Sequence, residues 1–278
     1  MKLLVALPEG EGEGVYSPLP KGEGIKKETS MRKTILITGA SSGLGDGMAR
    51  QFATLGRNLA LCARRTERLE ALKQELASKH PGIKVSIKAL DVNQYDDVFR
   101  VFREFEQEFG GLDRVIVNAG LGKGQPLGTG YFYANRQTAE TNFVAALAQC
   151  EAALEIFRKQ NRGHLVMISS VSAMRGMGRN LTTYAATKAG VAALAEGIRV
   201  DLLRTPIKVT TLYPGYIRSE INEKVRNTPF MVDTETGCRA MVKAIEKEVA
   251  EAFVPPWPWV LMGFLMRNLP LRLVAKMS

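Results

Sequence analysis

What most constrains this chain is a regular alternation of short β-rich runs with longer amphipathic ones, beginning at Thr34. "TILIT" (34–38), "NLALCA" (58–63), "IKVSIKAL" (83–90), "LDRVIVN" (112–118), "GHLVMISS" (163–170) and "IKVTTLYP" (207–214) read as strands. Between them, residues 44–56, 66–79, 94–109, roughly 134–159 and 183–203 carry helical periodicity. Apolar strands separated by helices long enough to cross over imply a sheet whose strands run parallel and are buried on both faces. The expected fold is α/β, a single doubly wound, Rossmann-like domain with a mostly parallel seven-stranded sheet flanked by helices. In such sheets ligands bind beyond the carboxyl ends of the strands, so the loops that follow the strands are where function is to be sought.

The first of these loops is "TGASSGLG" (38–45). Gly39, Gly43 and Gly45 let the backbone turn sharply and approach a ligand, with Ser41, Ser42 and Leu44 in the same cradle. The helix that follows offers unpaired N–H groups to a pyrophosphate. The second strand ends "CARR": Ala63 stands where an acidic residue would hold the ribose hydroxyls of NAD, and Arg64 and Arg65 follow. A guanidinium grips a 2′-phosphate through paired donors, which predicts NADP(H). The plainer reading, a basic edge on a solvated loop, still supplies no carboxylate for NAD. Asp91 and Val92 follow the third strand, where Asp91 can meet an adenine amino group. Asn118, Ala119 and Gly120 follow the fourth, Ser169 and Ser170 the fifth, and "PGYIRSE" (214–220) the sixth.

"TTYAATKAG" (182–190) sets Tyr184 and Lys188 one helical turn apart, among small residues that allow close packing. Alone, the pair is a ring lying over a lysine stem. Taken in order, TGASSGLG, NAG, a helix asparagine, a serine, YAATK and PG resemble the short-chain dehydrogenase/reductase family of the classical type, over about Lys33 to Val254. The resemblance implies Asn142, Ser170, Tyr184 and Lys188 as catalytic residues, with Ser172 a weaker alternative to Ser170. It also implies cofactor contacts from Tyr184, Lys188, Pro214, Gly215, Ile217 and Ser219, the last standing where the family often has threonine. A free phenol of pKa near 10 is only about 0.1% ionised at pH 7, and bringing it to around 7 takes about 4 kcal/mol. The Lys188 ammonium and an oxidised nicotinamide are the expected sources. Tyr184 would then exchange a proton with the substrate oxygen, Ser170 would hydrogen-bond that oxygen, Lys188 would hold the ribose, and Asn142 would place a relaying water.

The net charge of +10 points to an anionic partner, but no basic run or aromatic–basic interleaving suggests nucleic acid. Three widely spaced cysteines fit buried thiols in a reducing compartment, and two distant histidines make a metal site unexpected. Residues 1–30, with "LPEGEGEG" and "LPKGEG", read as disordered or as a mis-called start ahead of Met31; 31–254 form the dehydrogenase domain. The apolar segment 255–278 carries Trp257, Trp259, Phe264, Arg267, Arg272 and Lys276. It is too broken to span a bilayer, and is expected either to lie on a membrane surface or to fold over the cleft or a subunit interface. Together these imply an NADP(H)-dependent oxidoreductase for a bulky apolar, lipid- or steroid-like carbonyl or alcohol. The alternatives are a small polar hydroxy compound as substrate, or a nucleotide-binding regulator without turnover. A cytoplasmic homodimer or homotetramer is expected, peripheral on the membrane face if 255–278 binds lipid.

Overall fold

The protein's structure, a computed structural model, describes residues 32–122, 124–220 and 228–275. The expected N-terminal extension over 1–30 lies outside the described residues, as does Lys276. Seven strands, β1 (Thr34–Thr38), β2 (Asn58–Ala63), β3 (Val85–Ala89), β4 (Arg114–Val117), β5 (His164–Ile168), β6 (Lys208–Pro214) and β7 (Glu251–Val254), pair in the order β3-β2-β1-β4-β5-β6-β7. Every pairing is parallel. Residues that alternate along each strand serve opposite layers. Ile35, Ile37, Leu59 and Leu61 pack with α1 (Gly43–Thr54), α2 (Thr66–Lys79) and α7 (Thr234–Glu246). Leu36, Ala60, Val115 and Val117 pack with α3 (Tyr95–Phe109), α5 (Ala145–Gln160) and α6 (Thr182–Asp201). Phe52, Phe102, Phe105 and Phe157 are fully buried, each side chain contributing about 1.5–3 kcal/mol by leaving water. The order reverses between β1 and β4, which opens a crevice at their carboxyl ends.

Two departures from the sequence expectation bear on the site. The long helix expected over 134–159 is α4 (Phe132–Ala139), a π turn (Glu140–Val144) and then α5. The π turn holds Asn142, and such turns recur at functional positions. The strand expected from 83 begins only at Val85, since β3 is the sheet edge and its residues are half-exposed.

At the opposite end of the sheet, Arg114 and His164 are buried side by side. Arg114 Nε donates to His164 Nδ1 at 2.8 Å, so the imidazole is neutral with its proton on Nε2, 2.9 Å from Thr210 Oγ1. Burial, then the neighbouring Arg114 charge, hold His164 well below its usual pKa. Glu246 pairs with both Arg57 and Arg114 at 2.5 Å. His164 is thus part of the scaffold, far along its strand from the crevice.

After β7 come α8 (Pro256–Asn268) and α9 (Leu271–Val274). Trp259 and Met266 of α8 join Val171, Met174 and Tyr213 in a small third core. Among the described residues no helix is long and apolar enough to cross a membrane.

Candidate active site

The loop after β1 is shaped by its glycines. Gly39 (φ +66) and Gly43 (φ +57) are left-handed, and a Cβ on Gly45 would stand 2.4 Å from the Gly39 carbonyl oxygen. Asn118, at the end of β4, ties this turn down: its Nδ2 donates to Thr38 O at 2.8 Å. Thr38 Oγ1 in turn accepts from the backbone N–H of Asn118 and of Ala119, both at 3.1 Å. Leu44 lies in the first turn of α1, where its carbonyl accepts from Cys238 Sγ. Arg65 donates to Ser41 Oγ (3.3 Å) and Ser42 Oγ (2.6 Å), whereas Arg64 is exposed. Asp91 Oδ1 accepts from the backbone and side-chain nitrogens of Asn93, both at 3.1 Å, and Val92 is buried beside it. Asn93 is bonded to Thr141, which links the β3 loop to the π turn.

Asn142, Ser170, Tyr184 and Lys188 converge at the carboxyl ends of β4 and β5. The π turn aims Asn142 at Leu121, where its Oδ1 accepts from Leu121 N (2.7 Å) and its Nδ2 donates to Leu121 O (2.9 Å). Thr187 Oγ1 also accepts from Asn142 Nδ2 at 3.3 Å. Asn142 Oδ1 and Lys188 Nζ both approach Gly120, where a Cβ would stand 3.2 and 3.7 Å from them. Lys188 Nζ donates to Ile168 O at 2.8 Å and lies 5.9 Å from the centre of the Tyr184 ring. Ser169 Oγ donates to Lys188 O at 2.8 Å, which clamps α6 to β5. Ser170 Oγ accepts from Ser172 N at 3.2 Å and hydrogen-bonds the Tyr184 phenol. Ser172 Oγ is buried instead.

Among the chain's own groups, the electrostatics run opposite to the lowering expected for Tyr184. Tyr184 keeps some solvent exposure, yet protein packs round its phenol, and burial raises its pKa. The Ser170 hydrogen bond opposes the rise, and Tyr216 adds to it. Lys188 is not among the groups that shift the phenol; its ammonium lies 5.9 Å from the ring centre and donates to Ile168 O. Lys188 is itself pushed down to about 8 by burial.

After β6, Pro214 ends the strand, and Gly215 N donates to Val254 O at 2.9 Å. Ile217 is buried and bridges Val232. Ser219 lies against the glycine turn, since a Cβ on Gly43 would stand 3.2 Å from Ser219 Cβ. Three further neighbours meet here, of which sequence reasoning gave no role to Glu220. Glu220 accepts from Arg65 Nη2 at 3.0 Å and pairs with Arg68. Tyr216 lies close enough to Tyr184 to raise its pKa. Trp259 of α8 packs on Gly215, where a Cβ would stand 2.0 Å from the indole. It meets Tyr216 edge-on at 5.7 Å and Phe230 at 6.2 Å. The signal for Trp259 was in the composition of 255–278; nothing local in the sequence marked Glu220.

A family model described as short chain dehydrogenase matches residues 33–229. The chain is 53% identical over 247 residues to an uncharacterized oxidoreductase of Mycobacterium tuberculosis, covering 89% of this chain and 98% of that protein. It is 34% identical to a farnesol dehydrogenase of Aedes aegypti, covering 68% and 79% of the two chains. Among solved structures, an alcohol dehydrogenase of the archaeon Thermococcus sibiricus complexed with 5-hydroxy-NADP superposes with a TM-score of 0.71 at 25% identity, covering 80% of this chain and 95% of that one. The parallel sheet, the glycine turn at its switch point and these matches make the chain a member of the short-chain dehydrogenase/reductase family of oxidoreductases, acting on CH–OH groups.

Proposed function

We propose that the protein is an NADP(H)-dependent reductase or dehydrogenase of a bulky apolar carbonyl or secondary alcohol. The donor set fits the cofactor: a left-handed glycine turn opening α1 suits a pyrophosphate, and Arg65, aligned on Ser41 and Ser42, suits a 2′-phosphate. Ala63, at the end of β2, offers no carboxylate to ribose hydroxyls. Arg64, Asp91, Val92, Pro214, Ile217 and Ser219 complete the proposed contacts, and Lys188 would hold the nicotinamide ribose. When bound, the cofactor supplies or accepts the hydride.

The chain's own residues handle the proton. In the reducing direction the Tyr184 hydroxyl gives its proton to the carbonyl oxygen, while Ser170 hydrogen-bonds the same oxygen as its charge grows. A raised phenol pKa keeps Tyr184 protonated at neutral pH, the form a proton donor requires. Asn142 fixes the 121 segment and places a water that returns protons from solvent.

The single observation that carries the substrate class is the aromatic wall of Tyr216, Trp259 and Phe230, which runs from beside Tyr184 onto α8. The name of the Aedes relative, acting on farnesol, is in keeping with it. Exposed Trp257, Val260, Leu261 and Phe264, with Arg267 nearby, suit peripheral contact with an anionic membrane surface on the cytoplasmic side. Exposed Phe143, Val144 and Leu147 on one helix and Val200 on another suit a homodimer or homotetramer.

The test is NADPH oxidation over ketones and aldehydes of increasing apolar size, with Tyr184→Phe alongside. Turnover should grow with apolar size and fall about 10²–10⁴-fold in the variant. Undiminished turnover in the variant would refute the proton-donor role, and indifference to size would refute the substrate class.

A further inference from the structure

We propose that Glu220 is a built-in competitor for the 2′-phosphate of the cofactor, and so a residue that sets how strongly the site distinguishes NADP(H) from NAD(H). This inference rests on the NADP(H) reading above. The anion position beside Ser42 is filled by the chain's own carboxylate. Glu220 Oε2 accepts from Arg65 Nη2 at 3.0 Å, its Oε1 pairs with Arg68 Nη1, and Ser42 hydrogen-bonds the same carboxylate. Two guanidinium groups and a hydroxyl are the donors by which a phosphate monoester is held. These pairs hold Glu220 down to about 2, Arg68 acting most strongly and Arg65 next, so the carboxylate is an anion throughout the neutral range.

The backbone that delivers Glu220 is fixed independently of the ion pairs. Arg218 N donates to Val232 O, and Val232 N to Tyr216 O, both at 3.0 Å. Thr234 Oγ1 donates to Arg218 O at 2.7 Å, and Ser219 rests against Gly43. Residues 216–220 therefore cross the 41–43 turn, and Glu220 comes down on its far side.

A 2′-phosphate has more charge and more acceptor oxygens than a carboxylate, so it wins Arg65 in direct exchange. It must first displace Glu220, and two anions cannot share the cradle without repulsion. A cofactor lacking the 2′-phosphate leaves the Glu220 pairs intact. Glu220 therefore lowers affinity for the phosphorylated cofactor selectively. Both pairs are partly exposed, which limits the effect to about tenfold.

Isothermal titration of 2′,5′-ADP and 5′-ADP into the wild type, Glu220→Gln and the double variant Arg65→Met/Glu220→Gln tests this without turnover. Glu220→Gln should bind 2′,5′-ADP about tenfold more tightly and 5′-ADP within about twofold of wild type. The gain should vanish once Arg65 is also replaced. Unchanged or weakened 2′,5′-ADP binding in Glu220→Gln, with the wild type still preferring 2′,5′-ADP over 5′-ADP, would overturn the competition while leaving the NADP(H) reading intact. Equal affinity for the two nucleotides in both the wild type and Glu220→Gln would overturn the NADP(H) reading itself.

Discussion

Lys188 sits with its ammonium against the Ile168 carbonyl, and burial brings its pKa down to about 8. In the unfolded chain the same group titrates near 10.4. Between about pH 8 and 10.4 the unfolded state holds more protons, so this residue makes stability rise with pH; below 8 its cost is fully present. Replacing Lys188 with Met should stabilise the protein at pH 7 by about 2 kcal/mol, after loss of one hydrogen bond is set against relief of the buried charge. The gain should shrink to nothing by about pH 10.5. Urea unfolding at the two pH values measures it, and a gain independent of pH would contradict the burial argument. Tyr184 and Lys188 were legible in the sequence because one helical turn is a local relation. Glu220 was not, since its pairing with Arg65 joins residues 155 positions apart and depends on how the loop after β6 crosses the glycine turn.

The two tryptophans of α8, with Trp257 at a kink in its first turn, meet different surroundings. Trp259 is 3% exposed and rests on Gly215, whereas Trp257 is 74% exposed. Trp259→Leu thins the aromatic wall and should raise KM for large apolar substrates by about tenfold, with little change for small ones. Trp257→Ser should leave both KM values alone and reduce co-sedimentation with anionic vesicles. Vesicle binding that does not respond to Trp257 would remove the membrane reading. The apolar composition of 255–278 could not say which face is covered, because that depends on which surface the helix meets. The π turn was hidden for a related reason: a single residue wound into a helix leaves the apolar periodicity on either side intact.

The molecule as a whole leaves Phe143 and Val144 of the π turn and Leu147 of α5 exposed, with Val200 in the last turn of α6 and Leu203 just beyond it. Leu147→Glu places a charge on this surface and should shift sedimentation velocity from a dimer or tetramer toward monomer. A wild type that is monomeric at micromolar concentration would refute the assembly. At this scale the parallel α/β class was readable from alternation alone. The order of the strands was not, since it is decided by which edges pair across distant stretches of chain.

That order has a bearing on synthesis. β1 is an interior strand, with β2 on one side and β4 on the other, and the contact of Thr34 with Asp113 spans 79 residues. At about 5–20 residues per second, the first strand waits roughly 4–16 s on the ribosome with one edge unpaired. Long-range parallel pairing of this kind folds slowly and leaves strand edges open to misassociation. The interruption that opens the crevice between β1 and β4 is also what leaves an edge of β1 open while the chain is being made.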